Sequence, residues 1–386
     1  WMFDRPLFVS PQEDAALADL QKVMYKMIHH FGANYDQYAH LMPVSAKAQR
    51  ILDIFSHRDY HPGTYRTDFV YDPTGQMKII EITCRFGLNG IFSSSIVNLV
   101  TQEYQKNELA DVELNDRYQP IFQHLANLIG NAGKLVVLLG EDRRNESKMY
   151  GAIFEDAGFD VVFIPYQELN ERSDELDHAF IVSELALEEI EELPDHLILK
   201  LSKSKLINDL RTVFLIHDKR FFDILGNKDL RKAVLSEKEE ALFDRFYIPT
   251  YAYGQRTDQW ALARSNKENW IIKHRSLGKS QQVYAGVVTS PEVWENIFLE
   301  GNLKNMVLQA WIPQRKISDT VNGVWHEDYI TGTAIFFDDH YFGLGIFRTS
   351  SYPVTNVVDD RKRCGFILKQ QIPELLEEQF LTTGQL

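Results

Sequence analysis

In Arg66-Thr67-Asp68 and Glu81-Ile82-Thr83-Cys84-Arg85, charged and hydroxyl side chains recur at every second position, the period that places them on one face of an extended strand. Between the two segments, Asp72-Pro73-Thr74-Gly75 has the chemistry of a tight turn, so Thr64 to Tyr71 and Met77 to Thr83 are expected to pair as a hairpin. Pairing brings Asp68, Glu81 and Thr83 together as hard oxygen donors. Such a set suits Mg2+, which takes few carboxylates and completes its shell with phosphate and water. Arg66 and Arg85 alongside would neutralise phosphoryl oxygens. The bland alternative is a cross-strand salt-bridge ladder on a solvated face. Phe69, Ile80 and Ile82 are expected to bury the other face, leaving the charged one to solvent or to a site.

Further segments carry cations or a strand end. His217-Asp218-Lys219 precedes an aromatic pair, and Lys219 taken alone reads more readily as a surface lysine. In Trp270-Ile-Ile-Lys273-His-Arg275-Ser-Leu-Gly278-Lys279-Ser280, Lys273 ends an apolar strand before a short polar loop. That is the make-up of a phosphate clamp: a fixed ammonium, then backbone N–H groups around Gly278 and the charge of Lys279. The spacing is not GxxxxGK[ST], which excludes a P-loop. Gln309-Ala310-Trp311-Ile312 ends at Pro313, where released backbone groups can meet a base edge and Trp311 or Ile312 can wall it; a core strand is the alternative. Arg348 follows Gly343 and Gly345, glycines that let a ligand or another backbone come close. His57, Asp59 and His61 have loose metal-like spacing in a polar loop. No HExxH motif or nucleophile elbow is present.

The elements that must position these residues follow from periodicity. Leu17, Leu20, Met24, Met27, Ile28 and Phe31 mark an amphipathic helix over 14–31. After the hairpin, helices are expected near 89–105 and 117–130, joined by an acidic connector. Lys134 to Leu139, a helix near 145–157, Gly158 and Asp160 to Pro165 read as a βαβ unit and hence a parallel sheet, continued by strands at His178 to Val182 and His196 to Leu201. The Gly140-Glu-Asp142 turn at its strand ends is loop chemistry or part of a substrate pocket. Helices over 219–226 and 228–245 then give way to strands at 270–274, 282–286, 306–312, 330–337 and 341–348.

Composition bounds the function. The chain has 386 residues, 44% of them hydrophobic, enough for two or three subdomains. A net charge of −14 argues against general nucleic-acid binding, which needs a basic footprint. Cys84 and Cys364 make no disulfide framework or CxxC metal site. No apolar run suits a bilayer span and no export signal is visible, so a cytoplasmic protein with no membrane partner is expected.

Taken in order, these segments resemble the ATP-grasp superfamily, in its circularly permuted branch with the glutathionylspermidine synthetase-like enzymes. The resemblance covers roughly residues 60–358. It implies an α/β (α+β) architecture, an ATP-grasp fold with circularly permuted halves around a pre-ATP-grasp Rossmann-like domain. The permuted metal-binding half with an N-terminal helical segment would span 1–115, the α/β domain 116–226 and the ATP-binding half 227–386. It further implies an ATP- and Mg2+-dependent carbon–nitrogen ligase that forms an amide or peptide bond through an acyl phosphate. Asp68, Glu81 and Thr83 would hold metal, and Lys219, Lys273, Gly278, Lys279 and the 309–312 hinge would bind nucleotide. Arg66 and Arg348 would stabilise transferring charge, Arg85 would bind substrate, and the 275–282 loop would act as a lid. The partners would be a small carboxylate (an amino acid or peptide) and an amine, with a homodimer allowed. The family carries Asn where this chain has Thr83, which points to a weaker metal ligand. A small-molecule kinase and a degenerate nucleotide-binding module remain as alternatives.

Overall fold

A computed structural model describes residues 2–380 apart from 86–90, 108–111, 116–117, 131–132, 142–143, 279, 300 and 378–379. The fold is mixed α/β, with three sizeable sheets. The hairpin forms as expected: Thr64–Tyr71 pairs antiparallel with Met77–Thr83, with Arg66 opposite Thr83 and Asp68 opposite Glu81. Asp72 organises the turn, its carboxylate accepting from the backbone of Thr74 and Gln76, while Gly75 takes the left-handed φ of 85° that the turn requires.

The hairpin is the edge of a seven-stranded antiparallel sheet. Its central strand is Val324–Phe337, which also pairs with Lys316–Val321, His340–Leu344 and Phe347–Ser350, the last leading on to Arg361–Arg363. The Phe347–Ser350 and Thr64–Tyr71 strands therefore flank one strand, which brings Arg348 to the side of Asp68 across 280 residues of sequence. The stretch expected as one strand over 341–348 is two, divided at Gly345-Ile346. The close approach at Gly345 is made by backbone, its N–H donating to the Thr333 carbonyl at 2.8 Å.

Pro11–Ala33 is the amphipathic helix, started by a capping box in which Ser10 and Glu13 satisfy each other's backbone N–H groups. Its Leu17, Leu20, Met24, Met27, Ile28 and Phe31 are all buried in the main core. The expected βαβ unit is present: Lys134–Leu139 pairs in parallel with Asp160–Pro165 on one side and Phe180–Glu184 on the other, and Lys205–Ile207 completes the sheet.

Residues 196–201, expected as a strand, lie in a helix, Asp195–Ser202. Leu197, Ile198 and Leu201 are buried while Leu199 is exposed, a three-to-four-residue period; Pro194 precedes the helix and Asp195 lies in its first turn, favoured by the helix dipole. The helix expected over 228–245 is two, Lys228–Val234 and Glu237–Phe246, because Ser236 and Glu239 form a capping box that starts the second. A smaller antiparallel sheet follows in the order Val283–Ala285, Trp270–His274, Met306–Ala310, Thr250–Ala252. It is backed by the helices Thr257–Ser265 and Pro291–Leu299, which the strand-dominated reading of this region passed over, with Trp260, Trp270 and Trp294 in their shared core. Among the described residues, no helix is long and apolar enough to cross a membrane.

Candidate functional site

The charged face of the hairpin looks across a cleft of about 1250 Å³ at the four-stranded sheet. Arg66, Asp68, Glu81, Thr83, Arg85 and Arg348 form one wall; Lys273, Gln309, Ala310, Trp311 and Ile312 form the other, with Lys219 and Gly278 between. Every residue assigned to metal, nucleotide, substrate or catalysis by the resemblance lines this cleft except Lys279, which lies outside the described residues; His57, Asp59, His61, Asp218 and the Gly140–Glu141 turn do not line it.

A β-bulge joins the walls. Asp68 pairs with Glu81 but Phe69 pairs with Ile79, so Ile80 is left out of the ladder. Its carbonyl accepts from the Lys273 ammonium at 2.9 Å. Ile80 consequently lines the cleft, contrary to the simple alternation that would have buried it with Phe69 and Ile82. The Lys273 ammonium also donates to Gln309 Oε1 at 2.8 Å, and Gln309 Nε2 donates in turn to Thr250 Oγ1 at 2.9 Å. Among the described residues no carboxylate reaches Lys273 within ion-pair distance, and burial pushes its pKa down to about 8, against the pull of Glu81 and Asp68.

The hairpin wall is paired within itself. Asp68 is bracketed by two guanidiniums, Arg66 with Nε at 2.9 Å and Arg348, and accepts from Thr333 Oγ1 at 3.3 Å. The Thr83 hydroxyl accepts from Arg66 at 3.4 Å. Glu81 meets the Lys219 ammonium at 3.2 Å. Burial raises the Glu81 pKa, but Lys219, Lys273 and His217 overcome it and hold the carboxyl at about 2. Arg66 and Arg348, expected to face transferring phosphate, thus spend their charge on Asp68 in this state. The salt-bridge ladder and the site are the same residues, since the ladder faces an enclosed cleft.

Lys219 also shapes the loop above the cleft. Its N–H donates to the Arg275 carbonyl and its ammonium to the Leu277 carbonyl, both at 2.8 Å. The His274 ring accepts from the Leu277 N–H, and Ser280 Oγ donates to the Thr355 carbonyl at 2.6 Å, which closes the loop onto the opposite wall. Asp218 has a supporting part, holding Arg220 at 2.7 Å.

For a nucleotide the fit is good. Ile248, Ile271, Val283 and Ile312 give the cleft apolar surface that suits a base, and Lys219 and Lys273 give it ammoniums that suit phosphates. For a metal, the donors are Asp68, Glu81 and the Thr83 hydroxyl. No group of three or more His, Cys, Asp or Glu able to hold a metal occurs among the described residues, which also leaves His57, Asp59 and His61 without a metal role. Two carboxylates suit an ion that takes the rest of its shell from phosphate and water, and do not make an all-protein cage.

Sequence reasoning missed several cleft residues. The apolar residues Ile248 and Val283 look like any core position, and Val354, Thr355 and Asn356 enter only because their segment folds over the opening. His217 was visible beside Lys219 but had no assigned role.

The overall arrangement is that of a glutathione synthetase-like effector from Globodera pallida, solved in its apo form: the two superpose with a TM-score of 0.57 over 95% of this chain and 90% of that one, at 11% identity. The fold is shared at that level. The chain belongs to the AnkG N-terminal domain family, whose model matches residues 18–215. That match takes in the hairpin wall and the parallel sheet and ends before Lys219 and the four-stranded wall. No curated protein matches the chain.

Proposed function

We propose that this chain is an ATP- and Mg2+-dependent carboxylate–amine ligase of the circularly permuted ATP-grasp kind. The observation that carries the reading is the convergence of five separated segments, around residues 66–85, 217–219, 271–283, 309–314 and 348–356, on one cleft lined by both cations and apolar side chains. In this reading the hairpin of the 1–115 half, joined in one sheet by strands from 316–363, forms one wall, the four-stranded sheet of 250–310 forms the other, and 116–226 is the inserted α/β domain.

In the reaction, the substrate carboxylate would attack the γ-phosphorus of ATP, releasing ADP and leaving an acyl phosphate. An amine would then attack the acyl carbon, lose a proton and displace inorganic phosphate. Lys219 and Lys273 would hold the polyphosphate, and the 309–312 strand end would seat the base. Asp68, Glu81 and Thr83 would hold the metal that neutralises developing phosphoryl charge. Arg348 and Arg66 would move from Asp68 towards the transferring group, and Arg85 would receive the substrate carboxylate. The closed 275–282 loop would keep water from the acyl phosphate. The substrates belong to the class of amino acids, small peptides and amines.

The test is phosphate release across paired carboxylates and amines. A ligase releases phosphate only when both are supplied; ADP formed with a hydroxyl acceptor alone, without free phosphate, would make the protein a kinase. One observation favours a second reading, a nucleotide-binding module without turnover: both carboxylates are already neutralised by internal cations. Nucleotide binding with no phosphate release from any pair would establish it.

A further inference from the structure

His217 is a titratable residue of the cleft for which the reaction above supplies no task. It is 4% exposed and lines the cleft, and neither ring nitrogen makes a well-aligned hydrogen bond, the Ile82 carbonyl acting on the ring only weakly. Its position is fixed from behind, its backbone N–H donating to the Thr212 carbonyl at 3.2 Å. Two residues on, Lys219 crosses to Glu81, and Lys219, Arg85 and Glu81 are the charges that act on the ring. A buried polar group without a partner is costly, and native proteins keep one where a water, ion or ligand completes it.

We infer that His217 is a ligand-contacting residue, its ring donating a hydrogen bond to an anionic oxygen at the phosphate-bearing end of the cleft. The inference rests on the nucleotide reading proposed above. The surroundings decide the kind of contact. Burial, with Lys219 and Arg85 nearby, holds the ring pKa down at about 3, so the imidazole is neutral. A neutral ring donates through one nitrogen and accepts through the other, and the bound ligand selects the tautomer. The contact therefore adds direction without adding charge to a cleft that already holds Arg66, Arg85, Arg348, Lys219 and Lys273. It follows that its contribution is insensitive to salt, unlike that of a lysine.

The experiment compares the full chain with H217F and H217N, titrating each with a non-hydrolysable ATP analogue and Mg2+ by calorimetry and melting each without ligand. Phenylalanine keeps ring bulk and removes both nitrogens; asparagine keeps one donor and one acceptor. H217F is expected to melt no lower than the parent, because two unsatisfied buried nitrogens are gone, yet to bind the analogue about tenfold more weakly. That loss is expected to be the same at low and moderate salt. H217N is expected to recover affinity to within a few-fold of the parent. Unchanged affinity in H217F, or H217N as impaired as H217F, would overturn the assignment, as would a lower melting temperature with intact binding. If H217F fails to fold, H217L, which also removes both nitrogens, takes its place with the same expected loss. Should the parent itself bind no nucleotide, the nucleotide reading falls and this contact falls with it; a parent that binds beside an unaffected H217F removes only the contact.

Discussion

The two walls of the cleft handle charge in opposite ways. On the hairpin wall each carboxylate has a cation within reach, Asp68 between Arg66 and Arg348, Glu81 against Lys219. On the facing wall Lys273 is buried against two neutral oxygens, the Ile80 carbonyl and Gln309 Oε1. Paired ions retain their charge at low dielectric, whereas an ammonium without a counter-charge loses hydration and gains little in return. One wall can take up a cation once its guanidiniums swing away. The other awaits an anion. A polyphosphate carrying a metal satisfies both demands at once, drawing arginine from Asp68 as it supplies charge to Lys273.

The largest expected effect falls on the paired wall. Asp68→Asn and Glu81→Gln are each expected to reduce turnover by about 10³-fold or more, read as phosphate release. Their ligand-free stabilities separate them. Asp68 is buried between two guanidiniums, so its loss lowers the melting temperature most, while loss of the more exposed Glu81, which leaves the buried Lys219 ammonium unpaired, lowers it less. Near-normal turnover in the folded Glu81→Gln variant would reduce this wall to a structural ladder.

The opposite signature is expected on the facing wall. Lys273→Met should weaken analogue binding by about 2–4 kcal/mol, as calorimetry would show, without lowering ligand-free stability. The pH dependence follows from the sign of the shift. Folding lowers the Lys273 pKa from its ordinary 10.5 to about 8, so the unfolded chain binds more protons between those values and this residue's destabilisation fades as pH rises. The Met variant should match or exceed the parent's melting temperature near pH 7, with the difference vanishing towards pH 10.5. Parent affinity for the analogue should decline as pH rises through about 8, where the free ammonium is lost. Affinity that ignores the substitution would break the contrast between the walls.

The smallest effect concerns Thr83, which holds the Arg66 guanidinium in this state and would turn to metal in the loaded one. Thr83→Asn is expected to lower the Mg2+ concentration for half-maximal activity a few-fold and Thr83→Val to raise it, an amide carbonyl being the better donor. If neither substitution moves the Mg2+ dependence, Asp68 and Glu81 hold the metal alone.

Local sequence was enough for the 64–83 hairpin and for the shared face of Asp68, Glu81, Thr83 and Arg66, though not for the shift of register at Ile80. It also determined the parallel order of the strands at 134–139 and 160–165. Turn chemistry and hydrophobic period are carried by neighbouring residues, so they are legible one segment at a time. The same period, read over too short a window, mistook the helix at 195–202 for a strand, because an apolar run of that length fits either until burial chooses a face. Only the tertiary structure decided which charge meets which: that Arg348 serves Asp68, that Lys219 serves Glu81, and that a bulge at Ile80 hands Lys273 a carbonyl instead of a carboxylate. Those partners come from segments as far as 280 residues apart. Their pairing is set by how the sheets pack around the cleft, through long-range contacts that no local pattern records.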